Sequence, residues 1–165
     1  CLFFDKDFER HAEEIYSTPR WPSEPLSYAS FTSKSDDSVA PKGKENMFLL
    51  MPVASDLEDN KIIRERYFEL IISRLEKLTK QNIKDHIIYK KSYAIRDFKK
   101  DYNSFKGNAY GLANTLFQTA ILKPSLKNKK LNNLYFCGQL TVPGPGVPPS
   151  LISGNVVAKE LLKNM

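Results

Sequence analysis

Asn133-Leu134-Tyr135-Phe136-Cys137-Gly138-Gln139-Leu140-Thr141-Val142-Pro143-Gly144-Pro145-Gly146-Val147-Pro148-Pro149-Ser150-Leu151-Ile152-Ser153-Gly154 is the stretch on which the fold turns. Its first five residues read as an apolar strand (Asn132–Cys137 with its leading residue) that stops at Gly138. Val142–Ser150 then holds two glycines and four prolines. Proline has no N–H and a fixed φ, so this loop cannot join a sheet. A final helix is expected from about Ser150 to Lys163, with Pro149 suited to its first turn. Strand, stiff loop and helix in that order predict an α/β architecture, α+β for the chain by itself.

Working outward, the chain alternates strand and helix signals. Leu2–Phe4 reads as a strand, and Asp5 or Asp7 as the cap of a helix through Tyr16 with Phe8, Ala12 and Ile15 on one face. Pro19, Pro22 and Pro25 mark a loop around Trp21. Leu26–Ser33 and Asn46–Val53 read as strands, the second well buried, with a polar turn at Ser35–Lys44 between them. Ser55–Asn60 offers a cap for the strongest helix, Lys61–Thr79, whose Ile63, Tyr67, Leu70, Ile71, Leu75 and Leu78 recur at helical spacing. His86–Tyr93 is expected as a further strand and Ile95–Tyr102 as a short helix. Asn103–Gly111 reads as a loop, and Leu112–Leu122 as helix or irregular.

Composition excludes several classes. Of 165 residues, 41% are hydrophobic and 27% charged, which is ordinary globular usage. The longest apolar run, Met47–Ala54, has eight residues, against the roughly 18 of a membrane span. No signal peptide is read at Cys1–Lys6, and the opening on Leu2-Phe3-Phe4 without a Met is expected of a piece of something longer. Two distant cysteines, Cys1 and Cys137, form neither a disulfide framework nor a zinc site, and a reducing, cytoplasmic setting is expected. The net charge of +6 is uneven: residues 1–59 carry 6 bases and 12 acids, residues 60–101 carry 12 and 6, and residues 102–165 carry 7 and 1. Most bases alternate with acids, as on solvated helix faces. The clusters Lys90-Lys91, Lys99-Lys100 and Lys127-Lys129-Lys130 come with no nucleic-acid-binding motif, so no nucleic-acid partner is expected.

The loop before the last helix carries the chemistry. A helix start presents unpaired N–H groups and the positive end of the helix dipole. The prolines hold the donors of Gly144, Gly146, Val147 and Ser150 in an array, and Gly144 and Gly146 allow close backbone approach. Such a place suits an electron-rich atom, a phosphate or the edge of a flavin; it equally suits a rigid turn between core elements. No GxGxxG fingerprint occurs in the chain, so the segment holding the adenosine half of a dinucleotide is not in it.

The quoted stretch resembles the C-terminal signature of the bacterial-type phytoene desaturases, FAD-dependent carotenoid desaturases of the amine-oxidase-like flavoprotein group. Phe105-Lys106-Gly107-Asn108-Ala109-Tyr110-Gly111-Leu112 resembles another stretch of that family, and Ser33–Val39, Ala40-Pro41-Lys42-Gly43 and Met47–Val53 follow its pattern in order. The resemblance covers about residues 1–163 and implies roughly the last third of a family member. It implies that residues 1–110 are mainly substrate domain and that residues 111–165 complete a Rossmann-like FAD domain. It places Gly138 and Gln139 near the flavin ribityl and pyrophosphate, and Gly146, Val147 and Pro148 at the isoalloxazine end. With Gly144 and Ser150 these are the candidate cofactor-binding residues. Gln139, Leu140 and Val142 depart from the small residue, glycine and histidine of many members. The implied partners are an apolar polyene, the missing N-terminal part of the polypeptide and a membrane surface, with the protein peripheral to it. Related flavin enzymes (a carotenoid isomerase, an apocarotenoid desaturase, an amine oxidase) or a non-catalytic module on the same fold are the alternatives. The absence of an acid in the loop after Gly138 argues against the amine oxidase.

No catalytic acid, base or metal site is assigned. His11 and His86 read as structural or solvent-facing, and Asp36-Asp37 and Asp56–Asp59 as turn and cap residues without calcium-loop spacing. Cys137 reads as a buried small hydrophobe, and Phe105, Tyr110 and Phe117 as an aromatic core that could alternatively face a polyene.

Overall fold

The computed structural model describes residues 1–113, 115–119 and 122–163. Among these described residues the fold is α+β, with four α-helices and one three-stranded antiparallel sheet. It divides into two compact units, Cys1–Asp97 and Phe98–Met165.

In the first unit the sheet runs β1 (Leu2–Phe3), β2 (Ser27–Ser30), β3 (Phe48–Leu50), with β2 central. The register pairs Leu2 with Tyr28 and Tyr28 with Leu50. Along β2, Ser27 and Ala29 are buried and Tyr28 faces out, the period-two alternation of a half-buried strand. β3 is an edge strand with Phe48 exposed, not the well-buried strand expected from its composition. The apolar core gathers Leu26, Ala29, Ala54, Tyr67, Ile71, Ile72, Leu75 and Ile95.

α1 (Phe8–Tyr16) is capped by Asp7, whose Oδ1 accepts from the N–H groups of Glu9 and Arg10. The expected Phe8-Ala12-Ile15 stripe is not the buried face: His11 and Glu14 are buried, and Phe8 is exposed. Both polar residues are satisfied, which is why burial is tolerated. Leu26 N–H donates to His11 Nδ1 at 3.1 Å, so the ring proton sits on Nε2 and donates to the Pro52 carbonyl at 3.0 Å. His11 thereby ties α1 to the ends of two strands. Burial raises the Glu14 pKa, but Ser23 O–H and N–H and the Arg20 guanidinium outweigh it and hold the carboxyl below its usual range.

α2 (Lys61–Thr79) begins where Asn60 Oδ1 accepts from Ile63 N–H and ends at Lys80 in the left-handed region. Tyr67, Ile71 and Leu75 are buried as their spacing predicts, Ile72 beside them is fully buried, and Leu78 is exposed. Tyr67 stacks on Trp21 at 4.9 Å and donates its hydroxyl to the Pro22 carbonyl, which pins the proline-rich loop to α2. Asp59, expected as a turn or cap residue, is instead buried and paired with Arg64.

The expected strand at His86–Tyr93 is not formed. Lys84–His86 is a short 3-10 turn, and the residues after it join no ladder. Side chains attach this segment to α2: Lys90 pairs with Glu65 and sits over the Phe68 ring, and Arg64 reaches the Ser92 hydroxyl and carbonyl. α3 (Ile95–Tyr102) has the bounds its sequence predicts.

The second unit is organised by α4 (Val147–Lys163), which starts three residues before the expected Ser150. Pro148 and Pro149 sit in its first turn, where a missing N–H loses no helical bond. The expected strand at Asn132–Cys137 reduces to one antiparallel bridge, Lys127 with Tyr135, flanked by Phe136 N–H to Leu126 O and Asn128 N–H to Leu134 O. Cys137 is exposed rather than a buried hydrophobe. Phe105, Tyr110 and Phe117 are also exposed and form no aromatic core. Of the ambiguous segment 112–122, residues 114, 120 and 121 lie outside the described residues; Leu116–Gln118 is a 3-10 turn.

Candidate functional site

An open cavity of about 540 Å³ in the second unit is lined by Ala109, Tyr110, Cys137, Gly138, Gln139, Gly146, Val147, Ser150 and Leu151. It brings together two stretches that lie far apart in sequence: the Ala109-Tyr110 loop and the glycine-proline loop with the start of α4. Of the candidate cofactor residues, Gly138, Gln139, Gly146, Val147 and Ser150 line it; Gly144 and Pro148 do not. The two loops are closely packed, since a Cβ on Gly111 would meet Leu140 Cδ2 at 2.7 Å.

Gly138 is held at both ends. Its N–H donates to Ser153 Oγ at 2.7 Å, and that hydroxyl donates to the Ser150 carbonyl. Its carbonyl accepts from Thr141 N–H at 3.1 Å and Thr141 O–H at 2.8 Å. Ser153 and Thr141 are buried, and sequence reasoning missed both. The available signal was spacing: each hydroxyl lies three residues after the carbonyl it bonds, a common local pattern for Ser and Thr. The clamp keeps Gly138 at φ +100°, where a Cβ would meet nothing within 4 Å.

The helix start is less rich in donors than expected. Ser150 N–H donates to the Gly146 carbonyl at 3.0 Å and is not available to a ligand. Gly146 and Val147 N–H groups make no hydrogen bond among the described residues. The first turn of α4 carries no acidic residue, so no carboxylate of its own neutralises the positive end of its dipole. Gly144 faces Lys123 instead, whose Cε would lie 3.4 Å from a Cβ there. Lys123 is buried, and it too was missed, because nothing in sequence links it to the loop 20 residues on. Among the described residues no group of three or more His, Cys, Asp or Glu could hold a metal. The cavity thus has Gly138 and Gly146 in its lining and the start of α4 beside it, and a helix start favours an electron-rich atom.

No family model matches the chain. It is 41% identical over 164 residues to the carotenoid 3,4-desaturase of Haloarcula japonica, covering 99% of this chain and 33% of that protein. It is 32% identical over 163 residues to the 4,4'-diapolycopen-4-al dehydrogenase of Metabacillus indicus, with 99% and 33% covered. The 4,4'-diapophytoene desaturase (4,4'-diaponeurosporene-forming) of Staphylococcus haemolyticus is 31% identical over 171 residues, with 99% and 34% covered. The chain is thus related over essentially its whole length to carotenoid desaturases, the group its signature resembles. It spans about a third of the length of the curated relatives it matches.

Proposed function

We propose that the chain is the C-terminal third of an FAD-dependent carotenoid desaturase and that the cavity beside α4 receives the flavin ring. The observation that carries this is the convergence, in one cavity, of the two sequence stretches that resemble the family. The residues fit that group. Gly138 leaves its side of the cavity open, and Gly146 and Val147 point to an uncompensated helix start. Residues 1–110 would belong to the substrate domain and residues 111–165 to the FAD domain, with the adenosine half held by the N-terminal part of the longer polypeptide. FAD bound there would supply the two-electron acceptor for removing two hydrogens from adjacent carbons of an apolar polyene. The chain's own part is to seat the ring: the Ser153–Gly138–Thr141 clamp sets the floor, and the dipole of α4 favours electron density at the ring edge. Oxidation of a carotenoid aldehyde is a second reading, favoured by the similarity to the Metabacillus indicus dehydrogenase.

Leu151 tests the assignment. It lines the cavity and is 70% exposed, so Leu151→Trp fills the space without repacking α4. In the longer polypeptide this variant is expected to lower flavin content at least about tenfold, equivalent to ~1.4 kcal/mol, while the flavin-free 165-residue chain, in which the position is exposed, keeps its melting temperature. Full flavin content would put the ring elsewhere.

The same reading extends to a peripheral place on a membrane. Bases outnumber acids after residue 59, and no helix among the described residues is long and apolar enough to cross a bilayer. Each Lys or Arg near an anionic surface contributes roughly 1 kcal/mol. The longer polypeptide should float with anionic liposomes at low salt and less so at high salt; no association at either would reject a membrane role.

A further inference from the structure

We propose that Lys123 is a positioning residue of the flavin site, bracing the glycine-proline loop from behind and setting a buried positive charge beside it; the inference rests on the functional reading above. Among the described residues Lys123, 6% exposed, is the one lysine or arginine that is buried. The other eight lysines of residues 98–165 are exposed or half-buried. The side chain of Lys123 ends at the loop: a Cβ on Gly144 would lie 3.4 Å from its Cε and 3.6 Å from its Nζ. Gly144 has φ +137°, so the loop turns there with no side chain between its backbone and the ammonium group.

Burying an ammonium group is costly unless acceptors meet its three N–H donors. The loop is rich in acceptors. Residues 143–149 present seven carbonyl groups, but four of these residues are prolines, and only Gly144, Gly146 and Val147 carry an N–H. A backbone so short of donors draws a cation, and Lys123 is the cation placed against it. The charge also reaches the cavity. Gly146 lines that cavity and stands two residues from Gly144, so their Cα atoms are at most about 7 Å apart. The ammonium group therefore lies within about 12 Å of Gly146 and out of bulk water, where a unit charge shifts an anion-forming equilibrium several-fold. It acts with the same sign as the start of α4, whose first turn holds no acid. Both favour the negative charge that a bound flavin gathers as it takes up electrons.

The probe is sulfite. Its sulfur forms a bond to flavin N5, and the electron pair it brings leaves the ring anionic, so its affinity reads the positive potential around the ring independently of turnover. In the longer polypeptide Lys123→Met, which keeps the stem, and Lys123→Gln are each expected to bind sulfite at least about fivefold more weakly than the parent, with Lys123→Arg within about twofold of it. Lys129→Met removes an exposed charge of the same unit and should also stay within about twofold. Loss of flavin from the Met and Gln variants, with the Arg variant retaining it, supports the same role. Parent-like sulfite affinity in the Met or Gln variant overturns the proposal, as does an equal loss in Lys129→Met, which would make the effect one of net charge. An equal loss of affinity or of flavin in Lys123→Arg also overturns it and leaves Lys123 as a packing stem. Flavin content of the parent is scored first. A flavin-free parent removes the functional reading and this inference with it, whereas a flavin-loaded parent with unshifted Lys123 variants removes only the role of Lys123.

Discussion

Replacing Arg64 by methionine is expected to destabilise the first unit by about 3–5 kcal/mol, the usual cost of leaving a buried charge without its partner. The Asp59 carboxylate is fully buried. It accepts from Arg64 Nε and Nη2, each at 2.6 Å, and from Arg96 N–H at 2.8 Å. Arg64 Nη2 also lies 2.8 Å from Asp97 Oδ2, so one guanidinium joins the start of α2 to the start of α3. Methionine keeps the stem's packing and deletes every donor. The hydrogen bonds from Arg64 hold the Asp59 carboxyl below its usual range, against burial, with Arg96 N–H adding to them. A carboxyl whose folded pKa is depressed stabilises fully above its unfolded value, about 3.9, and the stabilisation fades as pH falls through the folded value. The gap between the parent chain and Arg64→Met should therefore be widest at neutral pH and narrow on acidification below about pH 4. Urea unfolding at several pH values measures it. A difference below about 1 kcal/mol at pH 7, the level of a surface pair, would remove this network as a keystone of the unit.

Gly146→Val should abolish flavin binding in the longer polypeptide and lower its stability together. Close backbone approach at Gly146 by itself predicts only a side chain that blocks the flavin while the protein stays folded. The structure gives another cause. Gly146 has φ +110°, a conformation that L side chains rarely adopt, and a Cβ there points at Pro149 Cδ, 3.4 Å away, rather than into open space. A β-branched residue in such a conformation costs of order 1–3 kcal/mol. The strain would be relieved by moving the loop, which breaks the bond from Ser150 N–H to the Gly146 carbonyl and loosens the first turn of α4. The contrast with Leu151→Trp is diagnostic when stability is read on the flavin-free 165-residue chain: Leu151→Trp should lose flavin in the longer polypeptide and leave that melting temperature unchanged, and Gly146→Val should lower both. Full flavin content in Gly146→Val would show that the loop has no part in holding the ring.

The sequence by itself determined the elements whose cause is local. Lys61–Thr79 and Ile95–Tyr102 have the bounds that apolar spacing predicts, and Asp7 and Asn60 cap helices as short polar residues do. The three strands of the sheet also lie within the segments Leu2–Phe4, Leu26–Ser33 and Asn46–Val53 that the sequence marks as strands. The signature Asn133–Gly154 was legible too, because its glycines and prolines act on the backbone without help from distant residues. What only the tertiary structure decided depends on partners far along the chain. Apolar runs at His86–Tyr93 and Asn132–Cys137 look like strands, but a strand exists only where another lies beside it; the first is tied to α2 by side chains and the second makes a single bridge. Composition could not show that α1 would bury His11 and Glu14, since their burial is tolerable only because Leu26, Pro52, Ser23 and Arg20 arrive to bond them. Nor could it show that Ala109 and Tyr110 would meet Gly138 and Val147 around one cavity. Backbone preference acts between neighbours and is written in the order of residues; burial, pairing and the shape of a site come from contacts that exist only once the chain has folded.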